Sequence, residues 1–258
     1  MENNLIEYGV SKLRENNIDT QLAYYLYKYL NNLDVYKESI DKLIKGIPVQ
    51  YIVGNVDFYG LIFNVNENVL IPRFETEELV EKSIKYINDF FGNKVDIVDI
   101  GTGSGCIAIS LKKHLLCNMD AVDISTKALE VAKENAKKLN ADINFYNGDL
   151  LTPLNKRYDV IISNPPYISK NEEIMDLVKK NEPNIALYAD NEGLKNYEDI
   201  LKNASKHLNN KNMIIFEIGE TQGIKIKEMA LDYFPESTIK IEKDMQGRDR
   251  FIFIFNES

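Results

Sequence analysis

The chain has 258 residues, a length that suits one large domain or one domain with a small companion. Hydrophobic residues make up 44% of it and charged residues 28%, which is typical of a soluble globular protein and excludes wholesale disorder. The net charge of -9 argues against a broad basic surface for duplex nucleic acid, so no stable nucleic-acid partner is expected.

Targeting and metal-binding patterns are both missing from the sequence. No apolar run is long enough to span a bilayer, and the first residues lack the basic and apolar regions of a signal peptide. We therefore expect a cytoplasmic protein without a membrane partner. Cys106 and Cys117 have no metal-ligand spacing, and the histidines, His114 and His207, lie far apart in the chain, so no metal site is predicted.

The first part of the chain is predicted to be an N-terminal helical domain at residues 1–47. Between Leu22 and Leu33, apolar residues recur three and four positions apart, which places them on one face of a helix. Asp19 or Thr20 can cap the start of that helix.

Residues 48–73 are predicted to be a linker built on a β-hairpin. The period changes here to that of strands, with runs at 53–58, 61–65 and 68–71 separated by turn residues. A helix is predicted to follow over about 75–91.

The third part, residues 74–258, alternates strand and helix patterns. Strands are predicted at 95–100, 119–123, 143–146, 158–163, 212–218, 237–243 and 250–255. This alternation is typical of an open α/β sheet, parallel through its first five strands. The last two strands are joined only by residues 244–249, too short for a parallel crossover, so the final strand should be antiparallel.

A glycine-rich loop follows the first strand of this sheet and opens a helix. It consists of Gly101, Thr102, Gly103, Ser104 and Gly105. Glycines there let the backbone turn tightly and approach a nucleotide-like ligand closely. The spacing G-x-G-x-G is not the dinucleotide fingerprint, which would need a glycine or alanine where Cys106 stands. It resembles the S-adenosylmethionine loop of Rossmann-like methyltransferases, whose seven-stranded sheet ends in an antiparallel strand.

Two acidic residues at strand ends complete the predicted cofactor site. Asp123 ends the second strand, where a carboxylate can accept hydrogen bonds from both ribose hydroxyls. Asp149 follows the third strand, where it can take the adenine amino group while the backbone N–H of Leu150 faces a ring nitrogen. The predicted cofactor is S-adenosylmethionine, with S-adenosylhomocysteine as its product and no metal.

The tetrad Asn164-Pro165-Pro166-Tyr167 directly follows the fourth strand, at the sheet edge where such folds bind ligands. Two prolines remove two N–H donors, so the side-chain oxygen of Asn164 and the carbonyl of Pro165 can both accept from one planar NH2 group. Tyr167 can stack on that plane. We predict that Asn164, Pro165 and Tyr167 are catalytic, that all four residues bind the substrate, and that Asn164 also contacts the cofactor.

Longer runs resemble the peptide chain release factor glutamine methyltransferases (the PrmC/HemK family). They are PVQYIVG at 48–54, VLIPRFETE at 69–77, and Glu182-Pro183. Phe74 departs from the proline that is usual in that family. The resemblance implies methyl transfer from S-adenosylmethionine to the side-chain nitrogen, N5, of the glutamine in the Gly-Gly-Gln motif of bacterial class-one release factors. It also implies that the N-terminal helical domain, residues 1–47, docks the release factor.

Three other interpretations stay open on the sequence alone. The same reaction could act on a glutamine of a ribosomal protein, or on an exocyclic amine of DNA or RNA. The chain could also be a non-catalytic S-adenosylmethionine-binding assembly module, although such a module need not keep two paired acceptors. Glu217 and Glu220 could suggest metal chemistry, but we expect them to cap the sheet and the helix that follows.

Overall fold

The computed structural model describes residues 2–30, 32–169 and 176–257, so Met1 and Ser258, the outer bounds of the predicted domains, lie outside the described residues. The helices are α1 (Glu2–Glu15), α2 (Gln21–Tyr29), α3 (Leu33–Ile44), α4 (Val49–Val53), α5 (Phe74–Phe91), α6 (Cys106–His114), α7 (Thr126–Lys138), α8 (Asp176–Asn181), α9 (Lys195–Ala204) and α10 (Gly223–Tyr233). The strands are β1 (Asn55–Phe58), β2 (Leu61–Asn64), β3 (Val95–Ile100), β4 (Cys117–Asp123), β5 (Asn144–Asn147), β6 (Tyr158–Ser163), β7 (Ile168–Ser169), β8 (Tyr188–Ala189), β9 (Leu208–Glu217), β10 (Thr238–Lys243) and β11 (Asp249–Glu257).

The central feature is a seven-stranded sheet in the order β10-β11-β9-β6-β3-β4-β5. Strands β3, β4, β5, β6 and β9 pair in parallel, whereas β11 is antiparallel to both of its neighbours. The predicted α/β sheet with an antiparallel final strand is confirmed. Because the order of the strands reverses beside β3, the loops after β3 and β6 open onto the crevice where such sheets bind ligands.

The segment before the sheet differs from its predicted pattern in two places. The hairpin β1–β2 forms as expected, with Phe58 paired to Leu61. Residues 49–53, however, make the short helix α4, which ends at Gly54 in a left-handed conformation, φ 74°. Residues 68–71 are not a strand. Val69 illustrates this: its N–H donates to the backbone carbonyl of Asn66 at 3.1 Å, and its carbonyl accepts from the Tyr51 hydroxyl at 2.6 Å.

Among the residues that the structure describes, three apolar clusters form the core. One lies on each face of the sheet, and the third joins α1, α2, α3 and α4 around Leu26, Tyr36 and Ile40. The hairpin residues Phe58 and Phe63, with ring centroids 5.8 Å apart, belong to a cluster of the sheet. Burial of such a side chain stabilises the fold by roughly 1.5–3 kcal/mol, so the hairpin is fixed to the sheet by apolar packing.

Two asparagines connect the early segments to the sheet domain. Asn135, fully buried on α7, accepts from the backbone N–H of Asn64 at 2.7 Å and donates to the carbonyl of Ser104 at 2.9 Å. It therefore ties the hairpin to the glycine loop. Asn181 donates to the carbonyl of Gly46 at 2.7 Å, which links α8 to the end of the helical segment.

Within the described ranges, no helix is both long enough and apolar enough to cross a membrane.

Candidate active site

A cavity of about 290 Å³ lies at the carboxyl ends of β3, β4 and β6. Predicted site residues that line it are Gly101, Gly103, Asp123, Asp149, Leu150, Asn164, Pro165 and Pro166. Those that do not line it are Thr102, Ser104, Gly105 and Tyr167. The structure thus brings the glycine loop, the two acidic residues and most of the tetrad to one cavity.

The glycine loop is shaped for close approach by a ligand. Gly101 and Gly103 have φ angles of 73° and 56°, which side-chain-bearing residues rarely adopt. A Cβ atom built on either would meet no atom within 4 Å, and both residues face the cavity. A side chain there would fill space that is open to a ligand.

The other loop residues support this shape from behind. The buried hydroxyl of Thr102 donates to Asp99 at 2.6 Å. Ser104 is buried and Gly105 precedes the first turn of α6. Burial raises the pKa of the Asp99 carboxyl to about 7, against the effect of the Thr102 hydrogen bond.

Asp123 is held by backbone donors from two sides. Its Oδ2 accepts from the N–H of Gly103 and its Oδ1 from the N–H of Ser125, each at 2.8 Å. Burial raises the pKa of Asp123, and these two backbone donors partly oppose that effect. Each carboxylate oxygen has a further lone pair, so this side chain can orient the loop and still accept from a diol.

The two residues after β5 differ in character. The side chain of Asp149 is exposed at the cavity, and its carbonyl accepts from the Thr152 hydroxyl at 2.7 Å. Leu150 has a φ of 46°, an unfavourable backbone conformation for leucine, which turns the chain at the wall of the cavity.

The tetrad backbone is fixed by two side-chain amides. Asn196 donates to the carbonyl of Pro166 and Gln222 to the carbonyl of Tyr167, each at 3.0 Å. In the part of the chain that the structure describes, no donor bonds the carbonyl of Pro165 or the Oδ1 of Asn164. Two acceptors are thus left for a ligand.

Tyr167 lies in the wall of a second cavity, of about 450 Å³, on the other side of the tetrad. Gln222, Lys225 and Arg248 also line it. Burial raises the pKa of the Tyr167 phenol to about 12. The tetrad therefore contributes Asn164, Pro165 and Pro166 to one cavity and Tyr167 to the other.

A buried chain of hydrogen bonds runs behind Asn164, and sequence reasoning missed it. The Nδ2 of Asn164 donates to the hydroxyl of Thr76 at 3.3 Å, and that hydroxyl donates to the Oε2 of Glu217 at 2.7 Å. Glu217 ends β9, but its carboxylate caps no helix: Gln222 accepts from Gly219 ahead of α10 instead. The sequence shows a polar residue at the end of one predicted strand and another at the start of a predicted helix, but it does not indicate that the two meet.

The segment before α5 is anchored by an ion pair. Arg73 Nη2 lies 2.5 Å from Oε1 of the buried Glu182, whose Oε2 accepts from the N–H of Ile71 at 3.3 Å. Phe74 is the first residue of α5 and is 58% exposed, at a helix position where proline is also favoured. The departure from the usual proline therefore leaves the helix start intact.

No group of three or more potential metal-ligating side chains comes together among the described residues.

The fold agrees with what comparison with known proteins finds. The family model for the Methyltransferase small domain matches residues 79–186. A 16S rRNA N2 G1207 methyltransferase from T. thermophilus, solved in complex with AdoMet and guanosine, superposes with a TM-score of 0.59 at 13% identity. That match covers 79% of this chain and 50% of the solved chain. The fold is that of a methyltransferase.

Relatives of higher identity define the family. The release factor glutamine methyltransferase of Bacillus subtilis (strain 168) is 41% identical over 88% of this chain and 79% of its own. The Enterococcus faecalis (strain ATCC 700802 / V583) protein of that description is 44% identical over 83% of this chain and 78% of its own. The chain belongs to the release factor glutamine methyltransferase family.

Proposed function

We propose that this protein transfers a methyl group from S-adenosylmethionine to the side-chain nitrogen of the glutamine in the Gly-Gly-Gln motif of bacterial release factors. The observation that carries the proposal is the pair of unbonded acceptors, Asn164 Oδ1 and the Pro165 carbonyl, beside a cavity lined by a glycine loop. The family to which the chain belongs supports the same substrate.

The first cavity has the groups that the cofactor requires. The backbone of Gly101 and Gly103 leaves room for close approach, and the carboxylate of Asp123 can accept from the ribose. Asp149 and Leu150 would hold the adenine at the far wall. When bound, S-adenosylmethionine supplies an electrophilic methyl group on a positively charged sulfur.

The tetrad suits an acceptor that is a poor nucleophile. An amide nitrogen carries two N–H donors, and the two acceptors of the tetrad can each take one. These two hydrogen bonds fix the plane of the amide. They also increase the electron density on its nitrogen as the bond to the methyl carbon forms. The nitrogen would then lose one proton to solvent, and the methyl donor, its methyl–sulfur bond broken, would leave as neutral S-adenosylhomocysteine. Rate enhancement would come from positioning and electrostatics, without a strong base.

The second cavity offers the acceptor a way in. It adjoins the first through the tetrad, and Tyr167 in its wall can stack on the amide plane. Lys225 and Arg248 line the same cavity and can donate hydrogen bonds to a backbone carbonyl or an acidic side chain of the acceptor. We assign this cavity to the acceptor loop.

Domain roles follow from this arrangement. We assign residues 1–47 to docking of the release factor, 48–73 to a linker, and 74–258 to methyl transfer. The first segment and α4 share an apolar cluster that is separate from those of the sheet, which supports treating the helical part as a unit of its own. An enzyme with this substrate would act in the cytoplasm.

The test is a labelled-methyl transfer assay with several acceptors in parallel. These are purified release factor, its Gly-Gly-Gln→Gly-Gly-Ala variant, a ribosomal-protein mixture, bulk DNA and rRNA. The proposal expects label on the wild-type factor alone. Label on nucleic acid or on ribosomal protein would overturn the substrate, and label on nothing would favour a binding module.

A further inference from the structure

We propose that Thr76 and Glu217 are positioning residues that hold the Asn164 amide with its oxygen toward the acceptor. This inference rests on the proposed function, in which Asn164 accepts a hydrogen bond from the substrate NH2 group. Neither residue touches that group. They act through the orientation of Asn164.

The reasoning starts from what each group can donate. An ionised carboxylate can only accept, so the hydroxyl of Thr76 must donate its one hydrogen to Glu217. That hydroxyl can then only accept from Asn164, which must present its NH2 group. Asn164 Oδ1 is left on the opposite side of the amide, at the cavity. The charge of Glu217 thus sets the direction of the whole chain of hydrogen bonds.

Burial stabilises this direction of the hydrogen bonds. Thr76 is 3% exposed and Glu217 is 2% exposed, so water does not compete for these bonds. In surroundings of low polarity each bond is electrostatically stronger than in water, and an amide turned the wrong way would leave polar groups unpaired. Burial raises the pKa of Glu217, and hydrogen bonds from Thr76 and from the Asn164 NH2 group oppose that rise, which is consistent with the NH2 group facing the carboxylate.

Protonation of Glu217 would remove the bias. A carboxylic acid can donate to Thr76, which could then donate to Asn164 and turn the Asn164 NH2 group toward the acceptor. The titratable and charged groups that act on Glu217 from the surrounding elements are Glu75 on α5, Cys106 on α6, Tyr167 after β6, Tyr197 on α9 and Arg250 on β11.

Two variants of Thr76 separate the effect of losing its hydroxyl from the effect of changing the side-chain volume. Thr76→Val removes the hydroxyl at nearly constant volume, and Thr76→Ser restores it. Ser83→Ala is the matched control, because Ser83 is on the same helix, is fully buried, and its hydroxyl has no partner among the described residues.

Three quantities are measured for each variant. They are the steady-state kcat and KM of methyl transfer to the release factor, the dissociation constant of S-adenosylmethionine, and Tm. We expect kcat of Thr76→Val to fall about tenfold, the change that corresponds to one orienting hydrogen bond of ordinary strength. KM for the release factor and cofactor affinity should change little. Thr76→Ser should recover most of the turnover, and Ser83→Ala should match the wild type.

Glu217→Gln gives a second, independent answer if Thr76→Val does not fold. Glutamine can donate as well as accept, so kcat of this variant should fall. In the wild type kcat should rise between pH 6 and pH 8 as Glu217 ionises, and the variant should lack that rise. An unchanged kcat in folded Thr76→Val, or the same pH profile in Glu217→Gln, would overturn the positioning role while leaving the proposed function standing.

A readout without turnover separates the two claims completely. The side-chain ¹⁵N amide resonance of Asn164 should shift in Thr76→Val and return in Thr76→Ser. If the wild type does not methylate the release factor, the proposed function fails. The resonance still decides the orientation of Asn164, and no shift refutes the network.

Discussion

Replacing Glu217 by glutamine should stabilise the protein at alkaline pH, although it impairs the site. Burial raises the pKa of the Glu217 carboxyl from 4.5 to about 7, only partly opposed by the Thr76 hydrogen bond and by Arg250. The folded state therefore holds this proton more tightly than the unfolded chain. Its contribution to stability is complete below pH 4.5 and is lost as the pH rises through about 7.

The size of the effect follows from the same two values. A rise from 4.5 to about 7 corresponds to about 3 kcal/mol when titration is complete, of which about 2.5 kcal/mol is lost between pH 5 and pH 8. For a chain of this length, about 1 kcal/mol changes Tm by roughly 2–4 °C. The difference in Tm between Glu217→Gln and the wild type should thus grow by about 5–10 °C from pH 5 to pH 8, in favour of the variant.

Thermal unfolding followed by circular dichroism at pH 5 and pH 8 provides the assay. Other groups that titrate in this range are present in both proteins and cancel in the difference. Asp99, whose pKa burial also raises to about 7, is one of them. A difference in Tm that stays constant across this range would refute the reasoning, because it would mean that Glu217 does not titrate with the raised pKa.

Two further predictions concern the cofactor and the start of α5. Asp123→Ala should weaken S-adenosylmethionine binding at least about tenfold and also lower Tm by a few degrees, because hydrogen bonds to a carboxylate are lost both to the ribose and to Gly103. Calorimetric titration checks the first effect, and an unchanged affinity would contradict the ribose assignment. Phe74→Pro should leave the free energy of unfolding unchanged or raise it by up to about 1 kcal/mol, since proline is favoured at the first helical position. Urea unfolding measures this, and a fall in the free energy of unfolding by more than about 1 kcal/mol would show that Phe74 has a packing role.

The strands of the sheet were predictable because each is a short apolar run between turn residues, and the pattern is local. The position of the glycine loop was predictable for the same reason. Gly101 and Gly103 directly follow β3 in the sequence, so they lie at its carboxyl end. Residues 68–71 were mistaken for a strand because their composition is strand-like, while their actual partners, such as Tyr51, lie elsewhere in the chain.

The network behind Asn164 could not be predicted in this way. Thr76 and Glu217 are 141 positions apart in the sequence, and Asn164 and Thr76 are 88 apart. Nothing in the local pattern of either segment indicates which polar residue the other will meet. The position of Tyr167 in a separate cavity likewise depends on Gln222, which holds its carbonyl from the start of α10.

Methyl transfer to the release factor by wild type and by Asn164→Ala, with cofactor affinity measured on the same samples, tests the central claim most directly. The account predicts that the variant loses about a hundredfold or more in kcat, the usual scale for removing one preorganised electrostatic contact, while its affinity for S-adenosylmethionine changes little. Equal losses of turnover and affinity, or undiminished turnover, would contradict the role given to the Asn164 oxygen.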